Sequence, residues 1–228
     1  GWRGEPNMHD EPQHKKQGKV TLEILEAIDI PYIVIDKNSK ISEIREIILN
    51  ARKNQITVAL VVKKSSFEAY TDKKKPDNKY EISREEAIHS LVSKIKKETI
   101  VVSTTGMASR ELFEIRRPDS DLDFLTVGGM GHAAQIALGI ANQIKNREVV
   151  CIDGDGAAIM HLGSLVTIGT QKPKNFKHIL LNNGVHGSVG NQPSNGHLID
   201  FIGIAKAVGY ENTSILNKKN ELNDAIFG

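Results

Sequence analysis

The sequence predicts an α/β fold: a parallel sheet with helices on both faces, preceded by part of a second α/β domain. Apolar runs typical of strands alternate with helix-like stretches along the 228 residues. Hydrophobic residues make up 39% and charged residues 25% of the chain, close to the averages of globular domains. Small and polar residues follow four of the apolar runs, and the ends of strands are where such sheets bind ligands.

The charge balance and the single cysteine exclude several classes of protein. Thirty Lys and Arg against 28 Asp and Glu give a net charge of +2, too little for a nucleic-acid-binding surface. Cys151 is the only cysteine, so no internal disulfide can form, which favours a reducing, cytoplasmic location. No apolar run approaches the ~18 residues that a membrane span needs.

The first 64 residues are predicted to form one αβαβ segment. Its elements, in order, are a polar loop over 1–18, a helix over 19–28, a strand over 32–35, a helix over 42–52 and a strand over 56–62. Ser42 is the predicted N-cap of the second helix, because its hydroxyl can accept a hydrogen bond from the first turn. The continuous apolar run at 56–62 is typical of a buried parallel strand.

Residues 65–82 are predicted to be a linker between two domains. They combine a run of three lysines, 73–75, with turn-forming residues and show no hydrophobic periodicity. A phosphate-binding patch is the alternative interpretation of the lysines. The second domain, 83–228, begins with Ser83 and Glu86, which have the spacing of a capping box.

The second domain is predicted to alternate strands and helices. The strands are 100–103, 124–127, 148–153 and 176–182, and the helices between them are 107–116, 132–144 and 158–169. The four strand ends carry glycines together with hydroxyl, carboxylate and amide groups. Glycine allows a positive φ and exposes the N–H groups of a following helix, which suits a diphosphate. Asp155 and Asn183 add hard oxygens, so Mg²⁺ shared between protein and diphosphate is expected.

One spacing resembles a known family pattern. Gly154-Asp155-Gly156, then 25 residues, then Asn182-Asn183 is similar to the motif of thiamine-diphosphate-binding enzymes. The resemblance implies thiamine diphosphate and Mg²⁺ as cofactors. The implied metal ligands are the side chains of Asp155 and Asn183 and the carbonyl of Val185. The implied cofactor contacts are Gly154, Gly156 and Ala157 for the diphosphate, Gly128 for the aminopyrimidine, and Met130 as the wedge that keeps the cofactor bent.

The resemblance extends over nearly the whole chain and is to the phosphonopyruvate decarboxylase family, which is close to sulfopyruvate decarboxylase. It rests on residues 1–6, 10–14, 103–107, 110–112 and 182–193. It implies that 1–64 is the C-terminal part of a pyrimidine-binding domain and that 83–228 is the diphosphate-binding domain, truncated at its C-terminus. The implied activity is the decarboxylation of 3-phosphonopyruvate to phosphonoacetaldehyde, a step of phosphonate biosynthesis.

Roles for further residues follow from this resemblance. His186, two residues after the carbonyl assigned to the metal, is the candidate for proton transfer or substrate contact, since imidazole titrates near neutral pH. Thr105 is expected either to contact the cofactor or to cap a strand end, and Arg110 either to bind the substrate anion or to lie on the surface. The family implies a homo-oligomer, and a separate pyrimidine-domain chain is the other expected partner. No counterpart of the family's activating N-terminal glutamate is found.

Other interpretations of the same residues remain open. Asp155 and Asn183 are also residue types that tight turns recruit. Gly129 and Gly131, with Asp153 24 residues after Gly129, fit a dinucleotide-binding fingerprint, although this leaves Asn183 unexplained. The expected role of apolar-flanked His132 and His161 is structural, and His9, His14 and His197 lack zinc-ligand spacing.

Overall fold

The computed structural model describes residues 1–68, 80–117, 121–218 and 221. The chain divides into two compact units, Gly1–Asp77 and Asn78–Gly228. The predicted linker over 65–82 lies largely outside the described residues, as does its lysine run. None of the helices in the described ranges is both long and apolar enough to cross a membrane.

The first unit has the predicted αβαβ order. Its elements are α1 (His14–Ala27), β1 (Tyr32–Ile35), α2 (Ile41–Asn54) and β2 (Ala59–Val62). The two strands pair in parallel, with Tyr32 beside Ala59 and Ile35 beside Val62. The predicted strand over 56–62 is therefore too long at its start. Helix α2 is capped by Lys40 and not by Ser42, which lies inside the first turn and makes no capping hydrogen bond.

The loop predicted for residues 1–18 is shorter than expected, because α1 already begins at His14. The backbone N–H of Trp2 donates to the carbonyl of Val62 at 2.7 Å, and its indole N–H donates to the carbonyl of Gly18 at 2.9 Å. Gly4 and Gly18 touch backbone to backbone, so a Cβ on either would collide with the other segment. These contacts fix the N-terminal loop against β2 and against the helix.

The second unit holds a four-stranded parallel sheet, which confirms the predicted fold class. Its elements are α3 (Arg84–Val92), β3 (Ile100–Ser103), α4 (Met107–Arg116), β4 (Asp123–Leu125), α5 (Ala133–Gln143), β5 (Val149–Gly154), α6 (Asp155–Met160), α7 (Gly163–Gln171), β6 (Phe176–Leu181), β7 (Val185–His186), β8 (Gln192–Pro193) and α8 (Phe201–Ala207). The strand order is β4-β3-β5-β6, and β7 and β8 form a short antiparallel hairpin.

Both faces of this sheet are covered by helices. Along β5, Val149 and Cys151 pack into a cluster with α5 and α7, whereas Val150 and Ile152 pack into a second cluster with α3 and α4. All four residues are fully buried. This division follows from the alternation of side chains along a strand, and a strand buried on both faces requires the continuous apolar run seen in the sequence.

Three boundaries in this unit matter for the site. The helix predicted over 158–169 is two helices, α6 and α7, interrupted at His161. Helix α6 begins at Asp155, where an acidic side chain stabilises a helix start. Strand β4 ends at Leu125, two residues earlier than predicted. The predicted capping box is confirmed, since Glu86 N donates to Ser83 Oγ at 3.1 Å and Ser83 N donates to Glu86 Oε2 at 2.9 Å.

Candidate cofactor site

The carboxyl ends of β4, β3, β5 and β6 lie at one edge of the parallel sheet. Loops follow β3, β4 and β6, and α6 follows β5 directly. This edge is where open α/β sheets bind their ligands. The residues that the sequence assigned to the site lie at this edge: Thr105, Gly128, Met130 and Asn183 in the loops, Gly154 at the end of β5, Asp155, Gly156 and Ala157 in the first turn of α6, and Val185 and His186 in β7.

The loops after β3 and β4 are joined by hydroxyl groups. Thr126 Oγ1 donates to the carbonyl of Ser103 at 2.8 Å, and the N–H of Gly128 donates to Thr105 Oγ1 at 3.2 Å. Gly128 has a φ of +78°, a conformation that side-chain-bearing residues rarely adopt. Thr105 therefore helps to hold the turn that carries Gly128 and Met130.

Thr104 presents a buried hydroxyl without a hydrogen-bond partner in the described part of the chain. The residue is 5% exposed, and its methyl group lies 3.8 Å from where a Cβ on Gly154 would stand. A buried polar group that lacks a partner costs ~1–3 kcal/mol. A bound group that offers hydrogen-bond acceptors at this strand edge would remove that cost.

Gly156, in the first turn of α6, lies close to the loop after β4 and to strand β7. A Cβ added to Gly156 would stand 2.6 Å from Nδ1 of His186 and 3.2 Å from the terminal methyl of Met130. Met130, the predicted cofactor wedge, and His186, the predicted proton-transfer residue, are thus neighbours over the first turn of α6. Only glycine leaves the backbone N–H groups of this turn accessible beneath them.

Asp155 is buried at 3% exposure and is held by a residue that the sequence analysis did not single out. Ser194 donates its hydroxyl proton to Asp155 Oδ2. The N–H of Gly196 donates to the same serine oxygen at 3.1 Å, which orients the hydroxyl toward the carboxylate. Gly196 itself lies against Asn182, since a Cβ there would be 2.6 Å from Asn182 Oδ1.

The two adjacent asparagines have different contacts. Asn182 donates from Nδ2 to the carbonyl of Gly196 at 2.9 Å and accepts the N–H of Gly184 at 3.2 Å. Asn183 accepts the N–H of Val185 through Oδ1 at 3.1 Å, which folds its side chain over its own turn. Asn182 thus uses both its amide nitrogen and its amide oxygen within the loop. The Asn183 amide oxygen accepts one N–H and keeps a second lone pair that a metal ion can use.

The donor set suits a diphosphate bound together with a hard divalent cation. The carboxylate of Asp155, the amide oxygen of Asn183 and the carbonyl of Val185 are the oxygen types that Mg²⁺ prefers. The unsubstituted turn at Gly156 and the unpaired hydroxyl of Thr104 are suited to phosphate oxygens. These features fit the cofactor that the sequence motif implies.

Three further residues differ from the cofactor set in being exposed. His132 and His161 are both exposed, with ring centroids 4.2 Å apart, and His161 lies against the backbone of Gly131. Arg110 is exposed on α4. The sequence assigned no role to Ser194 or Thr104, because the Ser194–Asp155 contact joins distant parts of the chain and the burial of the Thr104 hydroxyl depends on the fold.

Comparison with known proteins defines the class of this chain. Residues 102–227 match the family model of the thiamine pyrophosphate (thiamine diphosphate) enzymes, C-terminal TPP-binding domain. The chain belongs to this family, and thiamine diphosphate is its cofactor. The dinucleotide interpretation of Gly129 and Gly131 loses its support, because both glycines lie inside the matched domain.

Particular relatives are phosphonopyruvate and sulfopyruvate decarboxylases. The chain is 32% identical to phosphonopyruvate decarboxylase of Streptomyces viridochromogenes over 99% of its own length and 60% of that protein. It is 37% identical to the sulfopyruvate decarboxylase subunit beta of Methanococcus maripaludis over 64% of its length and 76% of that protein. The chain thus spans about 60% of the phosphonopyruvate decarboxylases it matches.

A solved structure supports the fold. Benzoylformate decarboxylase from Polynucleobacter necessarius aligns with a TM-score of 0.51 over 75% of this chain and 34% of that chain. The sequence identity is 20%, so the likeness concerns the fold alone.

Proposed function

We propose that this chain is part of a thiamine-diphosphate-dependent decarboxylase that converts 3-phosphonopyruvate to phosphonoacetaldehyde and CO₂. The observation that carries the proposal is the convergence of Met130, His186 and the Asp155 turn around Gly156. The similarity of 99% of the chain to a phosphonopyruvate decarboxylase supports the choice of substrate. The units 1–64 and 83–228 would be the end of a pyrimidine-binding domain and the diphosphate-binding domain.

The cofactor would be held as the motif implies. Mg²⁺ would be bound by Asp155, Asn183 and the carbonyl of Val185, and the diphosphate by the N–H groups of Gly156 and Ala157. Gly154 would form the turn before them. The remaining cofactor contacts would be Thr105, Gly128 and Met130. When bound, thiamine diphosphate supplies the nucleophilic carbon and the electron sink for loss of CO₂.

His186 would act on the substrate or on a proton. The His186 ring lies beside Gly156 and Met130 and is only partly buried. It therefore borders the turn proposed to bind the diphosphate and remains accessible to substrate. An imidazole can act as a general acid and donate a proton to the carbon that loses CO₂. His186→Gln should therefore lower kcat while leaving thiamine diphosphate affinity within about two-fold.

A binding experiment tests the cofactor assignment. The chain is titrated calorimetrically with thiamine diphosphate in Mg²⁺ and in EDTA, with NAD as the control ligand. We expect binding that requires Mg²⁺ and ignores NAD, and loss of that binding in Asp155→Ala. Asp121→Ala, an exposed aspartate of the same unit, is the matched control. Unchanged affinity in Asp155→Ala would refute the metal assignment.

The substrate is tested separately on the full-length protein. Sulfopyruvate is the alternative, favoured by the similarity to sulfopyruvate decarboxylase subunits, and it differs from phosphonopyruvate mainly in the charge of its tail. We expect a higher kcat/KM for 3-phosphonopyruvate. Equal or reversed preference would overturn the choice of substrate without affecting the cofactor site.

A partner chain is the second candidate for completing the enzyme. Several relatives are named as subunit beta, which supports a cofactor-binding half that works with a separate pyrimidine-domain chain. The intact protein is otherwise proposed to be a homo-oligomer in the cytoplasm. Activity that appears only after mixing with a second chain would support the two-chain form, and activity of a single purified chain type would support the homo-oligomer.

A further inference from the structure

A second cluster of metal-ligating side chains lies in the sheet, outside the cofactor loops. Cys151 and Asp153 are two residues apart on β5 and so lie on the same face. His178 on the neighbouring strand β6 is the register partner of Cys151 and shares that face. The sulfur, a carboxylate oxygen of Asp153 and a ring nitrogen of His178 all lie within 4.8 Å of one another.

The spacing of the facing atoms is that of ligands around one ion. His178 Nε2 lies 3.4 Å from Asp153 Oδ2. Tetrahedral zinc with nitrogen and oxygen ligands at ~2.0–2.1 Å places those two ligand atoms about 3.3 Å apart. A charge-assisted hydrogen bond between them would be shorter, at ~2.7–2.9 Å. The observed distance is that of a long hydrogen bond between the two groups, and it is also compatible with two ligands of one ion.

The atoms that face away from this point have their own partners. His178 Nδ1 lies 3.0 Å from the hydroxyl of Tyr210, and Asp153 Oδ1 accepts the N–H of Gly154 at 2.9 Å. Outer partners of this kind are typical of metal ligands, because they fix the histidine tautomer and the carboxylate rotamer. They leave Nε2 and Oδ2 on the side where these two atoms approach each other, and the sulfur lies within 4.8 Å of a ligand atom of both residues.

The position is buried, and a cation bound there would have to displace the proton of the Cys151 thiol. Cys151 is fully buried and Asp153 is 1% exposed. Burial, and then the charge of Asp153, raise the pKa of the Cys151 thiol well above its usual value. A divalent cation would compensate a thiolate and a carboxylate together, with release of the thiol proton.

We propose that Cys151, Asp153 and His178 form a binding site for a zinc-like, thiophilic divalent cation, separate from the Mg²⁺ position at Asp155. Three protein ligands of mixed sulfur, nitrogen and oxygen type select zinc or cobalt over magnesium. The ion would link β5 to β6 directly before the Gly154 turn, so it would stabilise the sheet beneath the cofactor loops.

Cobalt is the probe for this site, because thiolate-to-Co²⁺ charge transfer gives an absorption band in the near ultraviolet. Cys151 is the only cysteine, so the band reports this cluster alone. The chain, without an affinity tag, is treated with EDTA and titrated with Co²⁺. Because the cluster is buried, a parallel sample is refolded in Co²⁺.

We expect one equivalent of Co²⁺ with the charge-transfer band, displaced by Zn²⁺, and at least ten-fold weaker binding in His178→Ala. Cys151→Ser should lose the band. The control Asp155→Ala should keep the band, which separates this site from the cofactor position. Circular dichroism checks that each variant is folded. Absence of the band after refolding of the unsubstituted chain would overturn the proposal, as would a band that survives in Cys151→Ser.

Discussion

The hydroxyl of Ser194 donates to the carboxylate of Asp155, and both residues are buried. Ser194 lies next to β8, whereas Asp155 opens α6, so this contact ties the β7–β8 hairpin to the first turn of the helix. The Gly196 N–H occupies the serine oxygen as an acceptor, which leaves the hydroxyl proton to the carboxylate. One oxygen of the proposed metal ligand is thereby held in place by a neutral donor.

Ser194→Ala is therefore expected to weaken cofactor binding. Removing the donor leaves a buried carboxylate oxygen without its hydrogen bond, which costs ~1–3 kcal/mol. The carboxylate is then free to rotate away from the proposed metal position. We expect the Kd for thiamine diphosphate with Mg²⁺ to rise about ten-fold or more in calorimetry.

A structural role alone would give a different result. Ser93→Ala is the control, because Ser93 is exposed and its hydroxyl donates to the carbonyl of Ser90 in the same helical segment. If Ser194→Ala lowered the melting temperature but left the Mg²⁺-dependent Kd unchanged, the hydroxyl would only stabilise the hairpin.

Gly156→Ala is expected to abolish cofactor binding. The added methyl would stand 2.6 Å from His186 Nδ1, so the imidazole must move, and it would also cover the N–H groups of the first turn of α6. Gly163→Ala is the matched control, since a Cβ there meets no atom within 4 Å. Calorimetry should detect no thiamine diphosphate binding for Gly156→Ala and ordinary binding for Gly163→Ala. Equal binding by the two variants would show that the first turn of α6 does not bind the diphosphate.

Substitution by alanine should raise the free energy of unfolding at one helix glycine and lower it at another. Gly139 in α5 is exposed and has open space around it, so Gly139→Ala should raise the free energy of unfolding by ~0.5–1 kcal/mol through helix propensity. Gly169 in α7 is buried, and a Cβ there would collide with the carbonyl of Val208. Gly169→Ala should therefore lower the free energy of unfolding. Urea unfolding of both variants measures the difference, and a gain in stability for Gly169→Ala would contradict the close packing.

The sequence predicted those features of the fold that depend on residues close together in the chain. Strand β3 and helix α4 have the predicted boundaries, because a short apolar run ends at polar residues and Gly106 starts the next helix. The positions of the three loops and of the first turn of α6 follow from the strand ends, since parallel strands share one carboxyl edge. The candidate site could thus be predicted as a set of loops from composition and spacing.

The missed features depend on contacts between distant parts of the chain. Ser194 and Asp155 are 39 residues apart, and only the fold of the hairpin brings them together. The Gly4–Gly18 contact, which packs the N-terminal loop against α1, is likewise not revealed by helical periodicity. The cluster around Cys151 needs the register between β5 and β6, which the sequence alone does not define.

The buried ion pair at the start of β4 predicts a pH effect on stability. Arg116 Nε lies 3.1 Å from Asp123 Oδ2, and both side chains are almost fully buried. Burial raises the pKa of Asp123 to about 6, although the charge of Arg116 opposes the shift. In the unfolded chain the pKa of an aspartate is ~3.9. Between these two values the folded protein binds more protons than the unfolded chain at this position.

The contribution of Asp123 to stability should therefore fall as the pH rises from about 4 to about 6 and then level off. Asp123→Asn cannot titrate and mimics the protonated acid, so the unfolding free energy of the unsubstituted protein minus that of the variant should decrease over this window. Urea unfolding of both proteins at several pH values measures this difference. Asp121→Asn, an exposed neighbour, should give a flat difference. A difference that grows with pH for Asp123→Asn would mean that the attraction of Arg116 outweighs the cost of burying the carboxylate.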